Sequence, residues 1–195
     1  MKTFLVSAAF AAAVLAPTAA SAQAVPGAVI AVVDLERVTS DCNACKTAAS
    51  ALRGQVTSLQ NREKTLATPL QTEGKSIQSA IDALNGKEPD AALQARIKAF
   101  QAKQQQGAQE IQAQQVQIQR NQQFVQKQIA DKLGPIYQSV MQRRGANVLL
   151  ETGSTLATTT SVDVTNDVLA ALNTALPSIN AVAPAAPKPA TPQGR

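Results

Sequence analysis

There is no histidine and no tryptophan among the 195 residues, and aromatics amount to one Tyr and four Phe. Without imidazole, His-based acid–base catalysis and any metal site needing a His ligand are excluded. So few aromatic rings leave little to fill a thick core, and the commonest apolar residue, Ala, occupies little space. Charge is modest, with 18 Lys and Arg against 13 Asp and Glu, a formal +5. A membrane-length hydrophobic run is also missing: the apolar stretch from Phe4 to Leu15 falls short of the about 20 residues a spanning helix needs. With Lys2 before it, Pro17 after it and Ala20-Ser21-Ala22 beyond, it reads as a secretory signal peptide, residues 1–22, cut after Ala22. No Cys follows the cut, so no lipid anchor is expected there. Loss of Lys2 takes the charge from +5 to +4.

What is present in quantity is glutamine. In "QAKQQQGAQEIQAQQVQIQRNQQFVQKQ" (101–128), 14 of 28 residues are Gln, and Ile111, Ile118 and Val125 recur every seven positions. Gln is a good helix former, so this is a helix too polar for an ordinary core. Upstream, a 3-4 spacing runs through Leu52, Val56, Leu59, 63, Leu66, Leu70, 73, Ile77, Ala80 and Leu84, with Glu63 and Glu73 the charges on that seam. "NGKEPD" (85–90) interrupts with a helix-ending Asn-Gly and a helix-starting Pro-Asp. The spacing resumes at Leu93, Ile97 and Phe100 and slips by one at Ile129, Leu133, Ile136 and Val140. The two seams mirror each other, which predicts an antiparallel helical hairpin over 41–145 with its tip at 85–90. Folding there sets Pro69 opposite Gly107, two weak points at one height and a candidate hinge. Gly134-Pro135 predicts a second break.

Outside the hairpin the pattern changes. Val29, Ile30, Val32 and Val33 predict a buried strand, followed by a helix capped by Thr39, Ser40 or Asp41. Val148, Leu149 and Leu150 predict a second strand and Leu156-Ala157-Thr158 a weaker one. Thr165 is placed to cap a last helix, with Val164, Val168 and Leu172 in the core. Segments 23–40 and 146–175 together predict a small body, too small to stand alone and with open strand edges, so oligomerisation is expected. The Pro- and Ala-rich residues 176–195 predict a disordered tail.

"VIAVVDLERV" (29–38), an inserted hairpin, and "ANVLLETGSTLATTTSVDVTNDVLAALN" (146–173) resemble the OmpH/Skp periplasmic chaperones. The C-terminal segment is the more specific, with Val148-Leu149-Leu150, a turn, Ser161 to Thr165 and Asp167-Val168. The resemblance implies an α+β fold, mostly α, whose small β-barrel body is completed in a homotrimer, with the hairpins as coiled-coil tentacles. It implies an ATP-independent periplasmic holdase for unfolded outer-membrane proteins. No catalytic residue, metal, cofactor or nucleic-acid partner is expected. Candidate client contacts on the arms are Ile77, Ile81, Leu84, Leu93, Ile97, Phe100, Ile111 and Ile118. Scattered apolar side chains among Gln and Lys suit many weak contacts, each well under the ~1.5–3 kcal/mol of a fully buried large side chain. Basic residues outnumber acidic ones 14 to 8 between Asp41 and Arg144, which suits contact with anionic lipid or lipopolysaccharide, although no family motif for such contact matches here residue by residue.

Cys42-x-x-Cys45 is the one chemically reactive constellation. Its spacing is that of thiol–disulfide oxidoreductases, but the surrounding βαβ pattern of that fold is missing. A local disulfide is expected in an oxidising compartment. Besides a holdase, a structural coiled-coil envelope protein and a CxxC thiol protein are the alternative readings.

Overall fold

In the computed structural model, residues 25–185 are described; the expected signal peptide and cleavage site, and the tail beyond 185, lie outside them. The order of elements is β1 (Ile30–Val33), α1 (Leu35–Asp41), α2 (Asn43–Asp82), α3 (Ala91–Arg144), β2 (Val148–Glu151) and α4 (Thr165–Ala175). Short 3-10 turns, Thr152–Ser154 and Thr160–Val162, join β2 to α4.

The two strands pair in parallel, with Ile30 opposite Val148 and Val33 opposite Glu151. Asn147 sets this register. Its Oδ1 accepts from the Val29 N–H at 2.7 Å, and its Nδ2 donates to the Gly27 carbonyl at 2.9 Å. On its other edge β1 is bridged to Asp163, and the Val164 N–H donates to the Val32 carbonyl at 2.8 Å. The segment Leu156 to Thr158 forms no strand, and Leu156 is fully exposed. Among the described residues nothing covers that leucine, and no neighbouring strand pairs with the backbone there.

Asp34, not Thr39, Ser40 or Asp41, begins the first helix: its carboxylate accepts from the Arg37 N–H at 2.8 Å. The Asp34 N–H in turn donates to the buried Thr165 hydroxyl at 2.9 Å, tying the start of α1 to the start of α4. Thr165 therefore acts as an acceptor for a distant strand end, while its own N–H is held by Asp163 at 2.8 Å. Hydrogen bonding from the Thr165 side chain and backbone N–H keeps the Asp163 carboxyl below its ordinary range.

The core gathers Ala31, Val33 and Val38 against Val164, Val168 and Leu172 of the C-terminal segment. It also takes in Cys42, Ala44 and Cys45 at the base of α2 and Leu133, Ile136 and Val140 near the end of α3. The body thus extends past the expected limits at 40 and 146, because the bases of both long helices supply part of its interior. Val29, Ile30 and Leu150 were expected in that core, but in the single chain they are exposed, at 51, 44 and 37 %. Among the described residues the sheet has only two strands, and these three side chains stay open to solvent.

Two expected interruptions are not breaks. Helix α3 runs through Gly134 and Pro135, and α2 runs through Pro69. All three residues are exposed. On a wet face the hydrogen bond that proline cannot donate is replaced by water, so a long, well-packed helix tolerates it. The tail is the other departure. Leu176 is buried and Ile179 packs on the core. Residues 180–184 then lie along the bases of α2 and α3, bonded to Gln55, Arg120, Asn121 and Gln128. Up to residue 185 the expected disorder gives way to an ordered strap.

Candidate functional site

The expected contact residues lie on the long pair of helices and the turn that joins them. At their far end Asn85 and Gly86 adopt positive φ, 50° and 86°, which turns the chain. Asp90 then caps α3 by accepting from the Leu93 N–H at 2.8 Å. Across the pair, Glu73 meets Arg96, Arg62 meets Glu110, and Gln55 meets Asn121. These partners descend in α2 as they ascend in α3, so the two helices run antiparallel.

Ile77 is buried between the helices, and Leu84, Leu93, Ile97, Phe100, Ile111 and Ile118 are half-buried. The spacing of three and four that picks out these residues also turns them toward the partner helix. Ile77 is therefore corrected from a candidate contact residue to an interior one. Of the eight expected contact residues, Ile81 is exposed, at 37 %. Val116, at 50 % exposed, was missed because it lies off the seam.

Position 73 keeps its charge at the seam and position 63 does not. Glu63 is exposed, and Arg62 takes the inward place. The Arg62 guanidinium grips Glu110 with both nitrogens, Nε at 2.6 Å and Nη2 at 2.9 Å. Arg96 bonds Glu73 at 2.6 Å and the Ser76 hydroxyl at 2.8 Å. Hydrogen bonding to the arginines holds both glutamates below their ordinary range and raises both arginines. Between the two ion pairs is a recess of about 320 Å³, lined by Leu66, Pro69, Leu70, Lys103 and Gly107 among others. Pro69 and Gly107 thus face one recess at the same height. Gly107 is buried with Leu66 Cδ1 alongside, whereas Phe100 lies across Gly74.

Cys42 and Cys45 are joined by a disulfide at the start of α2, with both residues buried, at 0 and 6 % exposed. Cys42 is the N-cap of that helix, and the Cys45 N–H points at its sulfur, 3.2 Å away. Asn173 of α4 covers the same helix end by accepting from the Asn43 N–H at 2.9 Å. Attack by an external thiolate requires access to a sulfur, and these two are enclosed by the body. Among the described residues there is no cluster of side chains able to hold a metal, and no helix long and apolar enough to cross a membrane.

The family described as "Outer membrane protein (OmpH-like)" matches residues 29–172, from the start of β1 to the last core leucine of α4. The chain belongs to the OmpH-like family. Its fold is similar to that of a crystal structure from Caulobacter crescentus CB15, assigned as an OmpH-like outer membrane chaperone. The TM-score is 0.65 at 21 % identity, over 80 % of this chain and 89 % of that one. No curated protein matches. In the OmpH-like chain the matched region includes the whole α2–α3 pair and both strands, whereas the strap beyond Leu172 lies past its end.

Proposed function

We propose that this OmpH-like chain is an ATP-independent periplasmic holdase, which binds unfolded outer-membrane proteins between its arms and prevents their aggregation. The observation that carries the reading is the shape and surface of the α2–α3 pair. Helix α3 has 54 residues and spans about 80 Å at 1.5 Å per residue. Along the pair the exposed face is mostly Gln, Ala and Lys, with isolated apolar residues such as Ile81 of α2 and Val116 of α3. Such a face gives many weak contacts and no single tight one, which lets a client be held and released without an energy source.

The body supports a trimeric assembly. Among the described residues the outer edge of β2 has no partner strand, and Val29, Ile30, Leu150 and Leu156 of the same body are exposed. An open edge beside exposed branched side chains is a surface for another copy. Three copies closing their strands into one barrel would bury these residues and direct three helical arms around a common cavity. The basic excess on the arms would draw acidic clients and anionic head groups, of lipid or lipopolysaccharide. An aggregation assay tests the function. Light scattering of a urea-unfolded outer-membrane barrel protein, diluted into buffer, should be suppressed at stoichiometric trimer without nucleotide. Scattering unaffected at threefold excess would leave the chain as a structural coiled coil.

A further inference from the structure

The seam between the arms carries one polar side chain that is almost wholly buried, and it is bonded to the C-terminal strap. Asn121 is 3 % exposed. Its Nδ2 donates to Gln55 Oε1 at 2.8 Å, and its Oδ1 accepts from Gln117 Nε2 at 2.8 Å and from the Ala183 N–H at 2.8 Å. Two turns nearer the body, Gln128 grips one residue of the strap through both of its backbone groups. Its Nε2 donates to the Asn180 carbonyl at 2.9 Å, and its Oε1 accepts from the Asn180 N–H at 3.0 Å. Gln55 Nε2 donates to the Ala181 carbonyl at 3.1 Å, and Arg120 donates to the carbonyl of Pro184.

All five contacts are made to the backbone of the strap. None reads a side chain. A glutamine amide that donates and accepts across one residue supplies the same pair of hydrogen bonds as a neighbouring β-strand. The side chains of the strap alternate: Ala181 and Ala183 are half-buried, while Val182 is 58 % exposed and Pro184 is exposed. Alternation with small residues inward is the pattern of any extended strand that has one small face.

We propose that Gln55, Asn121 and Gln128 form a binding site for extended polypeptide backbone, occupied in cis by residues 180–184 and yielded to a strand of an incoming unfolded chain. The identity of the incoming chain rests on the holdase reading; the site itself does not. The strap is suited to leave and return. Its apolar anchors, Leu176 and Ile179, are seated on the body, so the strap stays tethered when the next five residues detach. Those five bury no large side chain, so detachment exposes little apolar surface. The strap therefore competes with clients at the base of the arms and sets a threshold for binding there.

The test uses a fluorescein-labelled peptide with the sequence of residues 178–187 and two variants of the protein. One ends after Ile179, keeping both anchors. The other is the full chain with Asn180→Pro and Ala183→Pro, which removes two of the N–H donors. A tether of this length gives an effective concentration of about 1 mM, so against a peptide of dissociation constant about 0.1 mM the strap weakens binding about tenfold. Anisotropy should show both variants binding the peptide about tenfold more tightly than the intact chain. Gln128→Leu in either background should abolish that gain. Equal binding by the intact and shortened chains, or binding by neither variant, overturns the proposal whatever the aggregation assay reports. Peptide binding without any gain in protection of an unfolded barrel protein would overturn the assignment of the partner and leave the backbone site in place.

Discussion

A methyl group added at Gly107 should stabilise the protein, and the same methyl at Gly74 should not. Both glycines lie in helix interiors, where Ala is favoured over Gly by about 1 kcal/mol. Packing separates them. A Cβ at position 107 would sit 3.7 Å from Leu66 Cδ1, ordinary van der Waals contact beside the recess between the arms. The full helical gain should therefore appear, and for a chain of this size about 1 kcal/mol raises the melting temperature by about 2–4 °C. At position 74 the Cβ would fall 3.2 Å from Phe100 Cζ, with two further ring carbons at 3.9 Å. The ring must then slide, and overpacking of this kind costs about 1–3 kcal/mol, which cancels or exceeds the helical gain. Circular dichroism melts of Gly107→Ala and Gly74→Ala, at equal protein concentration, measure the difference directly. Equal stabilisation by both would show that Phe100 is free to move and that the arms are packed more loosely than these distances state.

Replacing exposed Leu150 with Asp should leave the chain folded and break the assembly, whereas Val32→Asp, at a position 2 % exposed, should damage both; a trimeric Leu150→Asp variant in light scattering would refute the proposed interface. Reduction of the Cys42–Cys45 disulfide should cost about 2 kcal/mol by the chain-entropy relation for so short a loop, and thiol-reduced melts that match oxidised ones would show that burial alone holds the helix junction. Stability should be flat between about pH 5.5 and 8, where no side chain in this histidine-free sequence titrates. Glu73, Glu110 and Asp163 have lowered folded pKa values, so their contribution is complete above the ordinary carboxylate range and is lost as pH falls through the lowered values. Tyr137, raised by burial and by Glu151, adds a decline above about pH 10; a transition near pH 6.5 in denaturant melts would contradict this account. Alanine at both Pro69 and Gly107 should narrow the distance distribution between spin labels at Lys87 of different arms, and an unchanged distribution would mark the pair as tolerated irregularities and not a hinge.

The local chemistry of the chain was readable where one residue type had one physical use. Ile30–Val33 is a strand because its branched side chains crowd a helix, and Asn85-Gly86 turns because both adopt positive φ. Reading failed where two elements competed for the same residue. Thr39, Ser40 and Asp41 are all good caps, but Asp34 stands earlier and starts the helix first. Val29, Ile30 and Leu150 have core chemistry, yet whether they are buried depends on a surface outside the single chain. The expected contact residues on the arms follow the repeat, and periodicity marks the inside of a helix pair better than its outside. Val116 lies outside the repeat and is exposed for that reason.

The strap was hidden for a different reason, and it bears on how the glutamines work. Proline and alanine in 177–185 signal a segment that cannot build its own secondary structure, which is true of it. What composition does not show is that a segment with unpaired backbone groups fits beside a helix pair rich in side-chain amides. Gln55, Asn121 and Gln128 supply the missing donors and acceptors, so order here comes from two polar partners, neither of which has a hydrophobic signature. An unfolded outer-membrane strand presents the same unpaired backbone. Arms lined with leucine would hold such a strand by its apolar side chains and release it slowly. On the proposed holdase reading, arms lined with glutamine would hold it by the backbone, where every bond made is exchanged for one with water at a net worth of about 0.5–1.5 kcal/mol, so release would stay fast.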